Sequence, residues 1–424
     1  MAENIQTTRF PSGLTVITDK MPDVRSVTLG FFFDRGSRHE PAELNGISHF
    51  IEHSVFKGTE RRSALEIAVE QDRLGGNLDA FTTHEETGFA IKVIDDRIES
   101  AFDLIADMLL SPRFDERELK SERRVIIEEM KMVEDSPEEY LGDLFTESFF
   151  PDHPLGLSIS GTPKTVRKFT SGLTRAYFDL AFQSSNLVIT AACNVKHTQV
   201  VKLAEKFFAV RAKKQDRKFK NRKPNFAAPI LVKKNRNLEQ AHMIVATPFV
   251  SAADKRRYAA DLLANIIGGG MSSRLWQKVR EQRGLAYSVG ASAAMLRDCG
   301  FFSIFAATSP KQVGEVLDLS IEELRLILRN GITAQELELA KQQSVASILL
   351  GLEDSAARAA ILAQCEMIHG RYIPNAETLA AIQAVTVEEV NALARKFFKT
   401  EKIAFAALGD LNGLKVSRNR LAVS

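Results

Sequence analysis

The 424 residues contain one tryptophan and three cysteines. Cys193, Cys299 and Cys365 lie far apart and no CxxC occurs, which argues against a disulfide framework and against a cysteine zinc site. They read as reduced, buried small hydrophobes. A charge excess of one sign is also lacking. The balance of 56 Lys and Arg against 54 Asp and Glu leaves +2, so nothing global draws the chain to nucleic acid, and none is expected as a partner. No apolar run approaches the ~18 residues that would suggest a membrane span. The opening MAENIQTTRF has neither an apolar export region nor an Arg-rich amphipathic pattern, so a cytoplasmic location is expected. What remains is an ordinary globular composition, 45% apolar and 26% charged, in a chain long enough for about two to four domains.

One segment differs from the rest. RAKKQDRKFKNRKP, Arg211 to Pro224, holds eight Lys or Arg and one Asp. Its charge is 8 − 1 = +7, so the remainder carries 2 − 7 = −5. It lacks apolar periodicity and ends in proline, which suits an exposed inter-domain strap; an anionic contact is the weaker reading. The segments on either side run in parallel. Each opens with short strands, GLTVITD and SVTLGFFFDRG in one, PILVKKN and HMIVATPF in the other. Each continues through a helix pair, a β-rich stretch and long amphipathic helices. Each closes on a strand of small and β-branched residues, NLVITAACNV or IAFAALGDL. An internal duplication of one unit of roughly 200 residues follows. The expected fold is α+β, with two homologous domains, each a mostly antiparallel sheet with helices packed on one face. The expected boundaries are 1–210, a linker 211–229, and 230–424.

GISHFIEHSVFKG reads as a helix that begins near Ser48 and stops at Gly58. At 100° per residue, His53 lies 40° from His49 on one side and Glu52 lies 60° from His49 on the other. All three share one face. Two imidazoles a turn apart can grip one metal ion. The intervening carboxylate cannot easily bind as well, but it can reach a water on the open side as a general base. One short motif is weak by itself, and a third protein ligand is required. The best source is FDERELKSERRVIIEEMKMVEDSP, a strongly helical stretch. Leu119, Ile126, Met130 and Val133 form its core face. Glu128 points to solvent, while Glu122 and Glu129 sit seven apart on the flank of the core.

GSRHEPAELNGISHFIEHSVFKGT resembles the signature of the inverted-zincin peptidases, the family of pitrilysin, insulin-degrading enzyme and mitochondrial processing peptidase. In the processing-peptidase branch the third ligand follows 76 residues after the second histidine, in a stretch like ERxVIxxE. Here ERRVIIEE begins at Glu122, and 129 − 53 = 76. Resemblance and helix geometry thus select Glu129. The resemblance implies one Zn²⁺ per chain held by His49, His53 and Glu129, Glu52 as catalytic base, and Glu122 as a second carboxylate in the catalytic site.

LGGNLDAFTTHEETGFAIKV looks like the family hairpin whose exposed edge pairs with a peptide substrate, which marks Asp79 and Ala80 as substrate-binding. Asp79 stands where the family usually has Asn. His84, in the same hairpin, reads as a surface residue and not a ligand. In the second half, GGGMSSRLWQKVREQRGLAYSV resembles a family stretch ending in R-x6-Y, which marks Arg280 and Tyr287 for substrate contacts. The bland alternative makes Arg280 a solvated helix charge and Tyr287 a strand core residue. The glycine run there lacks the GK[ST] of a phosphate loop and reads as a helix stop. The second half has no HxxEH and reads as a silent repeat. The implied protein is a zinc-dependent endopeptidase that hydrolyses unfolded peptides or presequence-like segments inside a closed chamber. It would act as a homodimer, or as a heterodimer with an inactive homologue. The alternative is a catalytically weak structural or peptide-presenting subunit.

Overall fold

The computed structural model describes residues 3–208 and 222–423. Residues 211–221 of the basic strap lie outside the described residues. The strands are β1 (Ile5–Arg9), β2 (Thr15–Lys20), β3 (Ser26–Phe33), β4 (Asn77–Thr82), β5 (Thr87–Ile94), β6 (Leu187–Cys193), β7 (Ile230–Lys234), β8 (Ala241–Pro248), β9 (Ala286–Met295), β10 (Gly300–Thr308) and β11 (Ala404–Gly409). They form a six-stranded sheet in the order β1-β2-β6-β3-β5-β4 and a five-stranded sheet in the order β7-β11-β8-β10-β9. From β2 onward the first order repeats in the second, with the same pairing sense. β2–β6 and β7–β11 are parallel, and every later pair is antiparallel. The two domains are similar, each a mixed sheet with a helical layer on one face.

The period-two pattern of the strands explains the layering. Val27, Leu29, Phe31 and Phe33 of β3 face the helices, while Phe32 faces the opposite side. β6 is buried along its whole length, as its unbroken apolar sequence requires. The opposite faces are covered unexpectedly. The compact units are Met1–Met132, Leu157–Asn221 and Leu349–Pro374 on one side, and Val133–Gly156, Arg222–Ile348 and Asn375–Ser424 on the other. The helix Pro137–Phe149 therefore packs on the second sheet, and the helix Ser355–His369 packs on the first. Each follows the long helix of its own half, Glu116–Asp135 or Ala334–Gly351, so the duplicated halves exchange equivalent helices.

Aromatic packing holds one exchanged helix; apolar contacts of Leu362 and Ala363 with Ile17, Phe32 and Val188, together with charge, hold the other. Phe145 and Phe149 bring their rings to 6.0 and 5.7 Å from Phe301, and full burial of such a side chain contributes about 1.5–3 kcal/mol. The helix Ser355–His369 instead buries Arg358 against Asp19. Nε donates to Oδ2 at 2.5 Å, and both side chains are almost wholly enclosed. Burial raises the Asp19 pKa despite the opposing guanidinium. Thr28 and Ser355 add a buried hydroxyl pair at 2.8 Å. Among the described residues, no helix is long and apolar enough to cross a membrane. The three cysteines form no disulfide. Cys193 and Cys299 are buried, whereas Cys365 is only half-buried.

Arg358→Met should strand a buried carboxylate and cost about 3–5 kcal/mol in urea unfolding, and adding Asp19→Asn should recover part of that loss. An unchanged unfolding midpoint in the single variant would contradict the role given to this pair.

Candidate active site

The helix carrying HFIEH spans Ile47–Ser54 and continues as a 3-10 turn over Val55–Lys57. Phe50 and Ile51 are fully buried, which fixes the opposite face for His49, Glu52 and His53. No serine side chain caps its start, and the first amides go elsewhere. Gly46 N–H donates to Glu40 Oε2 at 2.7 Å, and Ser48 N–H donates to Oε1 at 2.7 Å. Glu40 is thus an upstream cap for a helix whose N-cap residue, Gly46, has no side chain to do it. Gly46 itself has φ 94°, and a Cβ there would lie 2.5 Å from the Ser160 carbonyl oxygen. Burial pushes the Glu40 carboxyl up to about 7, even with the two amides opposing the shift.

His49, His53 and Glu129 come together with their ligand atoms all within 4.8 Å of one another. The two imidazole rings are 4.6 Å apart. His53 Nε2 stands 3.5 Å from Glu129 Oε2, while its Nδ1 stands 3.4 Å from Glu122 Oε2. Glu122 is held on its other oxygen by Lys57 Nζ at 2.9 Å. A carboxylate behind a ligating imidazole fixes its ring orientation and raises its basicity. Glu52, enclosed beside this group, accepts a hydrogen bond from Thr82 Oγ1 at 2.7 Å. Glu128 is exposed and pairs with Lys131.

The electrostatics follow from crowding. Burial, then neighbouring His53, holds the His49 pKa down to about 4, so its imidazole is neutral at pH 7, the form that binds metal. Burial also pulls His53 down, but Glu122, Glu129 and Glu52 outweigh it and leave the pKa raised. Burial raises Glu52 against the Thr82 hydroxyl, and the net shift is upward. In Glu122 the burial effect is overcome by His53 and Lys57, and the net shift is downward. His49 Nδ1 is buried without a protein partner. Two imidazoles and a carboxylate whose ligand atoms lie this close together fit a divalent cation. The two-histidine, one-carboxylate donor set suits a single zinc ion.

Asp79 and Ala80 lie on β4, an edge of the first sheet; Asp79 is exposed and Ala80 half-buried. The same strand ends at Thr82, which reaches Glu52. His84 lies outside the ligand cluster. It is half-buried and bonds Ser37 Oγ through Nδ1 at 2.8 Å. Arg280 and Tyr287 belong to the second unit. Arg280 rides a π-helical turn, Trp276–Glu281, with its guanidinium 4.1 Å from the Trp276 ring and 4.9 Å from the Tyr287 ring. Tyr287 is 79% exposed, so it is not a core residue of β9. Sequence reasoning missed Lys57, Thr82 and Glu40. Lys57 could have been found as the residue four beyond His53 on the same helical face. Glu40 had only its place upstream of a helix start as a signal, and Thr82 had none without the strand pairing.

The helix motif and this three-ligand cluster define a metallopeptidase active site of the HxxEH type. The chain also matches the family described as insulinase (peptidase family M16) over residues 15–163 and the peptidase M16 inactive domain over residues 168–344. A protein of Streptomyces coelicolor named as an uncharacterized zinc protease is 36% identical over 99% of this chain and 93% of its own length. The zinc protease YmxG of Bacillus subtilis is 37% identical over 94% of this chain and 96% of its own. The chain belongs to the peptidase M16 (insulinase) family. Its fold is shared with a Helicobacter pylori protease at a TM-score of 0.89, with 21% identity over 96% of this chain and all of that one. A Pseudomonas fluorescens structure described as a peptidase M16 inactive domain gives 0.90, with 21% identity over 97% of this chain and 99% of that one.

Glu129→Gln should lower zinc affinity by about 10-fold or more, whereas Glu128→Gln should bind zinc like the parent chain. Equal affinities by competition with a chromogenic chelator would remove Glu129 from the ligand set.

Proposed function

We propose that this chain is a zinc endopeptidase of the processing-peptidase-like branch, acting on unfolded peptides. The observation that carries the reading is Glu52. It is a carboxylate outside the metal cluster, one residue from His53, and bonded to the last residue of an exposed strand edge. When bound, zinc supplies Lewis acidity, which acidifies a water and polarises a carbonyl. His49, His53 and Glu129 would hold it, and Glu122 with Lys57 would keep His53 aligned. Glu52 takes the proton of the attacking water and returns it to the leaving amine. β4 offers unpaired backbone groups to an extended peptide, with Asp79 and Ala80 alongside it, so the substrate is held by its main chain and side chains vary.

As halves of the sequence, residues 1–210 then carry the catalytic site, and 230–424 are a non-catalytic repeat that contributes substrate contacts. Arg280 holds a substrate carbonyl, and its place against the Trp276 and Tyr287 rings restricts the rotamers of a long side chain. The exposed Tyr287 phenol donates to the oxyanion as it forms. The working form is a homodimer with an enclosed chamber that admits peptides and excludes folded proteins.

Glu52→Gln keeps size and removes the base, so zinc should remain while turnover of a quenched fluorescent peptide falls by about 10²-fold or more. Near-parental hydrolysis at full zinc occupancy would take Glu52 out of the mechanism.

Tyr287→Phe should lower kcat about 10-fold with KM little changed, while Arg280→Ala should raise KM as well; both should keep their zinc. Parental kinetics in both variants would leave the second domain a purely structural part.

A further inference from the structure

In the second unit, a cavity of about 270 Å³ lies between the helix Pro137–Phe149 and the sheet face that this helix covers. The strand register places His242, Ala307 and Ser288 side by side across β8, β10 and β9, and then Ile244, Phe305 and Gly290 two residues further on. Small residues at Ala307 and Ser288 leave room above the sheet, whereas the Phe305 ring lies over Gly290. From the helix, Leu141, Gly142 and Phe145 face the same space.

The cavity is polar at one end only. Burial lowers the His242 pKa, and Glu138 is close enough to oppose that shift; Ser288 stands at the same level. Toward the other end lie Phe145 and Phe301. Between them the hydroxyls are already committed. Thr146 donates to the Gly142 and Asp143 carbonyls, and Ser303 is bonded to Ser292. The middle of the cavity therefore offers hydrocarbon.

Gly142 is an independent observation. It lies inside a helix, where glycine is less stable than alanine. Packing does not require it, because a Cβ there would meet no atom within 4 Å. Its effect is to leave the cavity clear. Phe305 keeps 38% of its surface exposed along the same space, an apolar wall without a protein partner to cover it fully.

The occupant follows from size and charge. The volume is below the ~300–1,000 Å³ of sites for drug-sized ligands, and suits one large side chain. The helix carries Glu138, Glu139, Asp143 and Glu147 and no basic residue, which repels the head group of an anionic amphiphile such as a fatty acid. An aromatic ring can pack edge-to-face on Phe305. We infer that this cavity anchors one aromatic side chain of a bound peptide, a second point of attachment that rests on the peptide-hydrolysing function proposed above.

The test uses the full-length Glu52→Gln chain loaded with zinc, so that bound peptide is not consumed. Two labelled glycine-serine dodecapeptides are compared by fluorescence anisotropy, identical except that one carries a phenylalanine where the other has alanine. The phenylalanine peptide should bind about 10-fold more tightly. Adding Gly142→Leu, which fills the cavity, should abolish that preference and leave the alanine peptide unchanged. Phe305→Ala should reduce the preference, and circular dichroism checks that both variants fold. No preference in the parent, or a preference that survives both substitutions, overturns the inference. So does binding of laurate that is lost in Gly142→Leu while the phenylalanine peptide shows no preference, because the cavity would then be an amphiphile site. Hydrolysis by the wild-type chain is measured separately. A chain that shows the phenylalanine preference but cuts no peptide contradicts the proposed function and leaves the cavity's ligand standing.

Discussion

Two imidazoles and three carboxylates are brought into one partly buried space by two helices, and the rest of the first domain follows from that crowding. Glu52 and Glu122 are nearly enclosed, and Glu129 is half-exposed beside them. Such a concentration of negative charge away from water is unstable without compensation. Lys57 and His53 supply part of it. His49 supplies none, because burial keeps its ring neutral. A divalent cation held by His49, His53 and Glu129 would offset that charge. The surrounding structure holds the arrangement in place. Glu40 caps the first turn of the helix, and Thr82 ties Glu52 to a strand edge.

The duplicated domains spend the same topology differently. The strand orders and pairing senses agree from β2 and β7 onward. Yet the first repeat carries ligands on its early helix, whereas the second carries a guanidinium set against two aromatic rings on a π-helical turn. π-helical turns concentrate at functional sites because the extra residue redirects a side chain. The reciprocal exchange of helices means that neither sheet is covered by its own half of the sequence alone. One exchanged helix is fastened by stacked phenylalanines, and the other by the buried Asp19–Arg358 pair and an apolar cluster around Leu362 and Phe32.

Much of this was legible in the sequence, for physical reasons. Alternation in SVTLGFFF marks a strand with two faces, and the 3.6-residue period puts His49, Glu52 and His53 on one side of a short helix. Heptad spacing brought Glu122 and Glu129 to the same stripe, and the structure sets one behind His53 and the other in the ligand cluster. The helix exchange was not legible. An amphipathic pattern says that Pro137–Phe149 and Ser355–His369 each bury a face, but not which sheet receives it. The exposure of Tyr287 was hidden for a similar reason. Its strand lies at a sheet edge, and edge position depends on strand order, which no local pattern encodes. Thr82 and Glu40 act through single long-range hydrogen bonds, which leave no periodic trace.

The central claim is that the HxxEH helix and Glu129 together form a zinc site without sulfur. Zinc K-edge absorption of the zinc-loaded chain tests it most directly. The account predicts a first shell of nitrogen and oxygen at about 2.0–2.2 Å, with the outer-shell scattering of two imidazoles, and loss of one imidazole's contribution in His49→Ala. A shell containing sulfur near about 2.3 Å, or one without imidazole scattering, would contradict it.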